Sequence, residues 1–187
     1  MRALRGSPLS RWRQEPLATL REYDSYLVAE TELPRDDAAD NGMRRAMNQG
    51  FRRVAGFIFG KNVGPSGAPE KVAMTAPVRL DAEPGSYRLS FLVPRKYTRA
   101  SLPVPDDATV QIREVPATLV AVMSFNGNIP DEPWVAAKKD ELRALVEADG
   151  GLELVPGAEG SLYQYHPPFA PAWQRVGEVV LPVRIKA

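Results

Sequence analysis

The order strand, helix, strand, strand can be read twice along this chain, and it constrains the fold more than any other feature. In the first copy, Leu20 to Thr31 alternates Tyr26, Val28 and Glu30 against Leu27, Ala29 and Thr31, the period-two pattern of a strand. Asp36 to Asp40 then supplies acids suited to a helix start. From Met43 the apolar residues recur at Met47, Phe51, Val54 and Ile58, spacings of four, four, three and four. That periodicity is one face of an amphipathic helix, which Gly60 stops. Gly50 and Gly56 within it each cost up to about 1 kcal/mol relative to alanine, so either something packs closely there or the helix is locally soft. Strands are expected at Val72 to Leu80, where Pro77 marks an edge or a bulge, and at Tyr87 to Val93.

The second copy opens with strands at Val110 to Val115 and Ala117 to Phe125, the run LVAVM being apolar enough for burial on both faces. Asp131 with Pro133 starts a helix that runs to about Ala148, stops at Gly150-Gly151 and turns Val135, Leu142 and Val146 inward. Strands at Ser161 to Tyr165 and Glu178 to Ile185 follow. The predicted fold is α+β, a duplicated strand-helix-strand-strand unit with two long helices on a largely antiparallel sheet, residues 20–94 and 108–186 being the related halves. Residues 1–19 read as a basic N-terminal extension outside that fold, and residues 20–187 as a single domain.

The bulk properties narrow the function. The 187 residues suit one domain with a sizeable core, and a net charge of +1 supplies no overall field for nucleic acid or anionic lipid. There is no cysteine, which excludes disulfides, thiolate catalysis and thiolate ligation. No apolar run approaches the roughly 20 residues of a membrane span, so a soluble protein is expected. Residues 1–14 carry Arg2, Arg5, Arg11 and Arg13 and no acid among them. That composition suits either a mobile basic tail or the end of an organellar transit peptide. A cytoplasmic or an organellar location, the chloroplast included, follows from the two readings.

Catalytic constellations are scarce. His166 is the one histidine, so a Ser/His/Asp triad has a single candidate base, and a zinc site lacks its usual ligands. No Walker, Rossmann or nucleophile-elbow glycine pattern is present. His166 in Tyr165-His166-Pro167-Pro168 is a candidate axial haem ligand, against the plainer reading of a hydrogen-bonded or solvated loop residue. Gly64 to Pro69 is a loop, lid or connector, after the first helix. Trp134, Trp173, Phe169 and Tyr97 read as packing residues, the Pro167 to Pro171 loop holding Phe169 and Trp173 against the sheet.

Two runs carry a family resemblance. EKVAMTAPVRL (Glu70 to Leu80) and YHPPFAPAWQRVGEVVLPV (Tyr165 to Val183) together resemble the SOUL family of small tetrapyrrole-binding proteins. The similarity continues through FRRVAGFIFGKN (Phe51 to Asn62), SFLVPRKYT (Ser90 to Thr98) and LPVPDDATVQIREVPATLVAV (Leu102 to Val122), in family order. It implies a twisted, barrel-like sheet carrying two long helices, and a hydrophobic cleft lined by the first helix and nearby sheet residues. It also implies a soluble, non-enzymatic binder of haem or a related porphyrin, held non-covalently with at most weak iron ligation, for buffering or transport. The family gives no support for a histidine ligand at position 166.

The residues supply a candidate for that cleft. A porphyrin is an apolar disc with two propionates on one rim, and needs an apolar floor with cations at its edge. Met43, Met47, Phe51, Val54 and Ile58 offer the floor, Arg44, Arg45, Arg52 and Arg53 the edge, and Met74 of the MTAPV run a soft contact. The plainer reading makes the stripe core and the arginines a solvated face. The alternative function is a protein-interaction module using the same helix or the proline-rich C-terminal loop. An enzyme acting on a tetrapyrrole stands third.

Overall fold

The computed structural model describes residues 18–35, 42–167 and 170–186. The basic segment 1–17, the acids of 36–40, Pro168 and Phe169 lie outside the described residues. The chain divides into two compact units, residues 26–115 and residues 18–25 with 116–186.

In the first unit, β2 (Tyr26–Pro34) leads to helix α1 (Gly42–Ile58), the short strand β3 (Asn62–Val63), the hairpin β4 (Val78–Glu83) and β5 (Ser86–Leu92), then β6 (Val104–Pro105) and β7 (Val110–Val115). The sheet order is β4-β5-β2-β7, antiparallel throughout, and β3 pairs with β6 separately. The second unit contains β1 (Ala18–Tyr23), β8 (Thr118–Asn126), α2 (Glu132–Asp149), β9 (Leu152–Leu154), β10 (Ser161–Gln164) and β11 (Val176–Ile185). Its order is β1-β8-β11-β10, with β9 on the far end of β11. The two orders correspond element by element, which is the predicted duplication. In neither unit does the sheet close into a barrel, because four main strands are too few to curl around a filled interior.

The expected halves are cut differently. Leu20 to Thr31 is two strands, broken at Asp24-Ser25, and they part company: β1 pairs with β8, β2 with β5 and β7. The leading strand of each copy therefore completes the sheet of the other copy. Ala18 and Thr19, placed in the extension from sequence, belong to β1. The strand expected at Val72 starts only at Val78, after a cis Ala76–Pro77 bond, because Val72 and Thr75 spend their hydrogen bonds elsewhere. The Val72 amide donates to the Ile58 carbonyl and the Thr75 hydroxyl to the Leu92 carbonyl.

Each helix lies on one face of its own sheet. α1 packs on β2 and β5, and α2 on β8, β9 and β11. Val135, Leu142 and Val146 are buried on the inner face of α2 as the periodicity requires. Asp131 caps that helix by accepting the Trp134 amide at 3.0 Å, and Gly150 ends it in the left-handed region at φ 76°.

The two helical glycines of α1 have different reasons. A methyl group on Gly50 would lie 2.9 Å from both Leu33 Cδ1 and Leu89 Cβ, so the glycine lets the helix sit close to the sheet. A methyl on Gly56 would meet only the flexible Lys61 stem, at 3.3 Å. Gly50→Ala should therefore destabilise by about 1–3 kcal/mol despite its better helix propensity. Gly56→Ala should stabilise by roughly 0.5–1 kcal/mol. Urea unfolding of the two variants checks this; equal signs would contradict it.

Candidate functional site

The first helix ends in a motif that shapes the surface beside it. Gly60, at φ 108°, donates to the Phe57 carbonyl, and the Lys61 amide reaches back to Gly56. This is a Schellman termination, in which the residue after the glycine covers the helix residue five before it; here the Lys61 stem lies over Gly56. The chain then turns into β3, held by Asn62. Its buried amide donates to the carbonyls of Phe57 and Glu70, at 2.6 and 2.8 Å, and its oxygen accepts the Glu70 amide. Tyr97 fixes the same loop from outside through a 2.6 Å bond to Glu70.

Three apolar side chains are left exposed around this corner: Phe59 at 64%, Val63 at 48% and Val104 at 67%. Val63 and Val104 are register partners between β3 and β6, so they stand side by side. Phe59 continues the helix, its amide bonding the Ala55 carbonyl at 3.0 Å. Spacings of seven put Arg45, Arg52 and Phe59 on one outer stripe, with Arg52 about 10 Å along the axis from Phe59. Lys61 is exposed beside them. Asp107 is held below the usual carboxylate range by the hydroxyl and amide of Thr109, with Arg53 and Lys61 close enough to add to the effect. The arrangement is an apolar shoulder fringed by cations, suited to an amphipathic ligand with anionic groups on one edge.

The structure brings Met43, Met47, Phe51, Val54 and Ile58 together on one face and lays that face on the sheet. Met43, Met47, Val54 and Ile58 are 0–5% exposed, and Phe51 is half-buried with its ring 5.2 Å from Phe91. They are core in this geometry; Val54 and Ile58 lie within about two turns of Phe59, while Met43 and Met47 are about 24 and 18 Å from it along the axis. Arg44, Arg45 and Arg52 are exposed, while Arg53 is half-buried and turns to Thr31 and the Glu32 carbonyl. Met74, at 43% exposure, lies in the irregular run before β4.

His166 is exposed and lies beyond the end of β10, so strand parity does not orient it. Its Nδ1 accepts the Val176 amide at 3.1 Å, which places the proton on Nε2 in the neutral ring. Coordination through Nε2 would require that hydrogen bond to be given up. Trp173 is 78% exposed, which corrects the expectation that the proline loop holds it against the sheet; it sits in a single 3-10 turn, Ala172–Gln174, facing solvent. Trp134 packs edge-on to Phe125 at 4.8 Å. Tyr97 is half-buried, its hydroxyl bonded to Glu70 and its ring 4.8 Å from the Lys96 ammonium.

Two buried carboxylates were not singled out from sequence. In the second unit, Glu178 on β11 is 4% exposed and accepts from both Arg21 terminal nitrogens, at 2.9 and 2.7 Å, from Tyr165 at 2.7 Å and from Ser124 at 3.2 Å. In the first, Glu30 on β2 is 6% exposed and accepts from Arg113 at 2.7 and 2.8 Å and from Ser90 at 3.2 Å. Each arginine comes from the exchanged strand, β1 or β7, and each serine stands opposite its glutamate in the ladder. Burial works against the Arg21 charge, yet the bonds to Glu178 and Tyr23 raise its pKa above the usual range. The Tyr165 phenol is pushed up by burial and by the same carboxylate. Both acids interrupt apolar strand sequence, at Ala29-Glu30-Thr31 and Gly177-Glu178-Val179, and a carboxylate there needs a partner. Here both oxygens of each carboxylate are engaged, so these clusters hold strands together.

Among the described residues no group of three or more His, Asp or Glu side chains could hold a metal ion. Nor is any helix among them long and apolar enough to cross a membrane.

Among solved structures, the C-terminal domain of EcmrR superposes with a TM-score of 0.61 at 14% identity, covering 89% of this chain and 96% of that domain. A hydrolase from Listeria innocua gives 0.57 at 11% identity, covering 94% and 98%. SAV2435, solved bound to tetraphenylphosphonium, gives 0.50 at 11% identity, covering 89% and 93%. At such identities the likeness shows the fold alone. The sequence matches no curated protein at a significant level. The family model for the SOUL heme-binding protein, in contrast, matches residues 12–182. With nearly the whole length matched, the chain belongs to the SOUL heme-binding protein family.

Proposed function

We propose that this protein is a non-enzymatic tetrapyrrole carrier that captures haem or a related porphyrin for buffering or transport. The observation that carries the reading is the exposed apolar shoulder of Phe59, Val63 and Val104, fringed by Arg52 and Lys61, in a chain of a haem-binding family. The ring lies on the shoulder, and its propionates turn toward Arg52 and Lys61, with Arg45 further along the stripe. Val54 and Ile58 support the surface from beneath, Met43 and Met47 pack further back under the same helix, and Met74 lies in the loop that returns from the helix. Ring burial dominates the affinity, since one well-placed charge pair adds roughly tenfold, about 1.4 kcal/mol. Iron supplies little, because the one histidine, His166, would have to give up its hydrogen bond from the Val176 amide to coordinate through Nε2.

A Soret-band titration with haem and with metal-free protoporphyrin tests this. Both are expected to bind saturably and within about an order of magnitude of each other. His166→Ala is expected to leave haem affinity within roughly threefold. A hundredfold loss, about 2.8 kcal/mol, together with loss of a six-coordinate spectrum would assign His166 to the iron and contradict the reading. No saturable binding of either compound would overturn it altogether.

A further inference from the structure

We infer that the second unit carries a separate binding site, for a small aromatic carboxylate, between the first turns of α2 and the face of β8 and β11. A cavity of about 260 Å³ opens there, lined by Met123, Phe125, Asn126, Trp134, Lys138 and Val179 among others. It falls just below the roughly 300–1,000 Å³ of drug-sized ligand pockets, which suits a compound of one or two rings and excludes a tetrapyrrole. Its walls are aromatic and aliphatic, with Phe125 and Trp134 meeting edge to face, an arrangement that receives a flat ring.

The polar groups around it ask for an acceptor. Lys138 is on the rim, its ammonium 5.8 Å from the Trp134 ring and paired with Glu141 in a partly exposed i,i+3 bridge. Such a bridge is weak, so the lysine is available to a stronger anion. Gln164 is 5% exposed, and its Nε2 has no hydrogen-bond partner. A buried donor without an acceptor is uncommon and calls for an explanation. A methyl group on Gly177 would meet that Nε2 at 2.8 Å and Phe125 Cζ at 2.3 Å, so the donor sits beside the Phe125 ring. Phe125 itself lines the cavity, so the amide lies immediately behind that ring, within reach of a ligand that displaces it. A cation and an orphan donor, with an aromatic wall between, fit an aromatic acid better than an amine or a hydrocarbon. In the first unit, by contrast, α1 lies tight on Leu33 and Leu89 at Gly50.

The test uses the full chain and naphthalene-2-carboxylate, with the neutral carboxamide and the naphthylmethylammonium ion as comparison compounds. Calorimetry and amide-resolved NMR are the readouts. The carboxylate is expected to bind one to one, about tenfold tighter than the carboxamide, with the cation weakest. The largest shifts should fall on the Trp134 indole and the Gln164 side-chain amide. Lys138→Met, a rim change that keeps the stem, should reduce carboxylate affinity to the carboxamide level. Gln164→Met should weaken both by several-fold while the amide spectrum stays native. Protoporphyrin should not be displaced, which separates this site from the shoulder on the first unit. Absent saturation at millimolar concentration, affinity untouched by Lys138→Met, or shifts centred on Phe59 and Val104 would each overturn the assignment.

Discussion

Arg21→Ala is expected to destabilise the protein by roughly 3–5 kcal/mol, more than any other single substitution in the two buried carboxylate clusters. The reason is what remains. Glu178, 4% exposed, would keep only the Tyr165 and Ser124 hydroxyls and lose both of its charged hydrogen bonds. A buried carboxylate without its cation is far costlier than the pair was beneficial, so replacing both partners by methionine should recover most of the loss. Arg113→Ala should cost less, because Arg113 is the more exposed arginine and Arg88 Nε stays 3.8 Å from Glu30. Urea unfolding of the two alanine variants and the double methionine variant measures all three. An Arg21→Ala loss under about 1 kcal/mol, the range of a surface pair, would show that the exchanged strand is not held by this contact.

The second large effect is on ligand capture. Phe59→Asp with Val104→Asp puts two charges where the ring is proposed to lie, and both side chains are already mostly exposed, so the fold should be unaffected. Each apolar side chain covered by the ring contributes up to about 1.5–3 kcal/mol, so protoporphyrin affinity should fall at least a hundredfold. Charge reversal at Arg52 or Lys61 should weaken protoporphyrin about tenfold at low salt. It should leave the dimethyl ester, which lacks the carboxylates, unchanged. That comparison separates the charge contribution from ring burial. If the double aspartate variant binds like wild type, the shoulder is not the site.

The helices were legible because their information is local. Five apolar residues at helical spacing and a stopping glycine define α1, while Asp131, Pro133 and Gly150 bound α2. Strand partners were less legible. Alternation in Leu20 to Thr31 shows which residues share a face, but it cannot show that Asp24-Ser25 divides the run between two sheets. A strand was read across MTAPV from the β-branched Val72, Thr75 and Val78, and tertiary hydrogen bonds from Val72 and Thr75 override that preference. The site shows the same division. Periodicity put Met43, Met47, Phe51, Val54 and Ile58 on one face without saying what covers it, and the cover is the sheet of the same unit. The shoulder was invisible for a related reason. Val63 and Val104 become neighbours only through a two-residue ladder between segments distant in sequence, and Phe59 falls outside the apolar stripe. Glu30 and Glu178 did leave a signal, a carboxylate inside apolar strand sequence, though not the identity of the arginine that answers it.

Ring-current mapping tests the central claim most directly: backbone amide and methyl shifts recorded as metal-free protoporphyrin is added to the full chain. A porphyrin lying on the shoulder should move Phe59, Val63 and Val104 most, with smaller shifts at Arg52, Lys61 and the neighbouring loop. The amides of β8, β10 and β11 should stay where they are. Shifts centred on the second unit, or spread evenly over both, would contradict the placement of the ligand on the first helix and its adjoining strands.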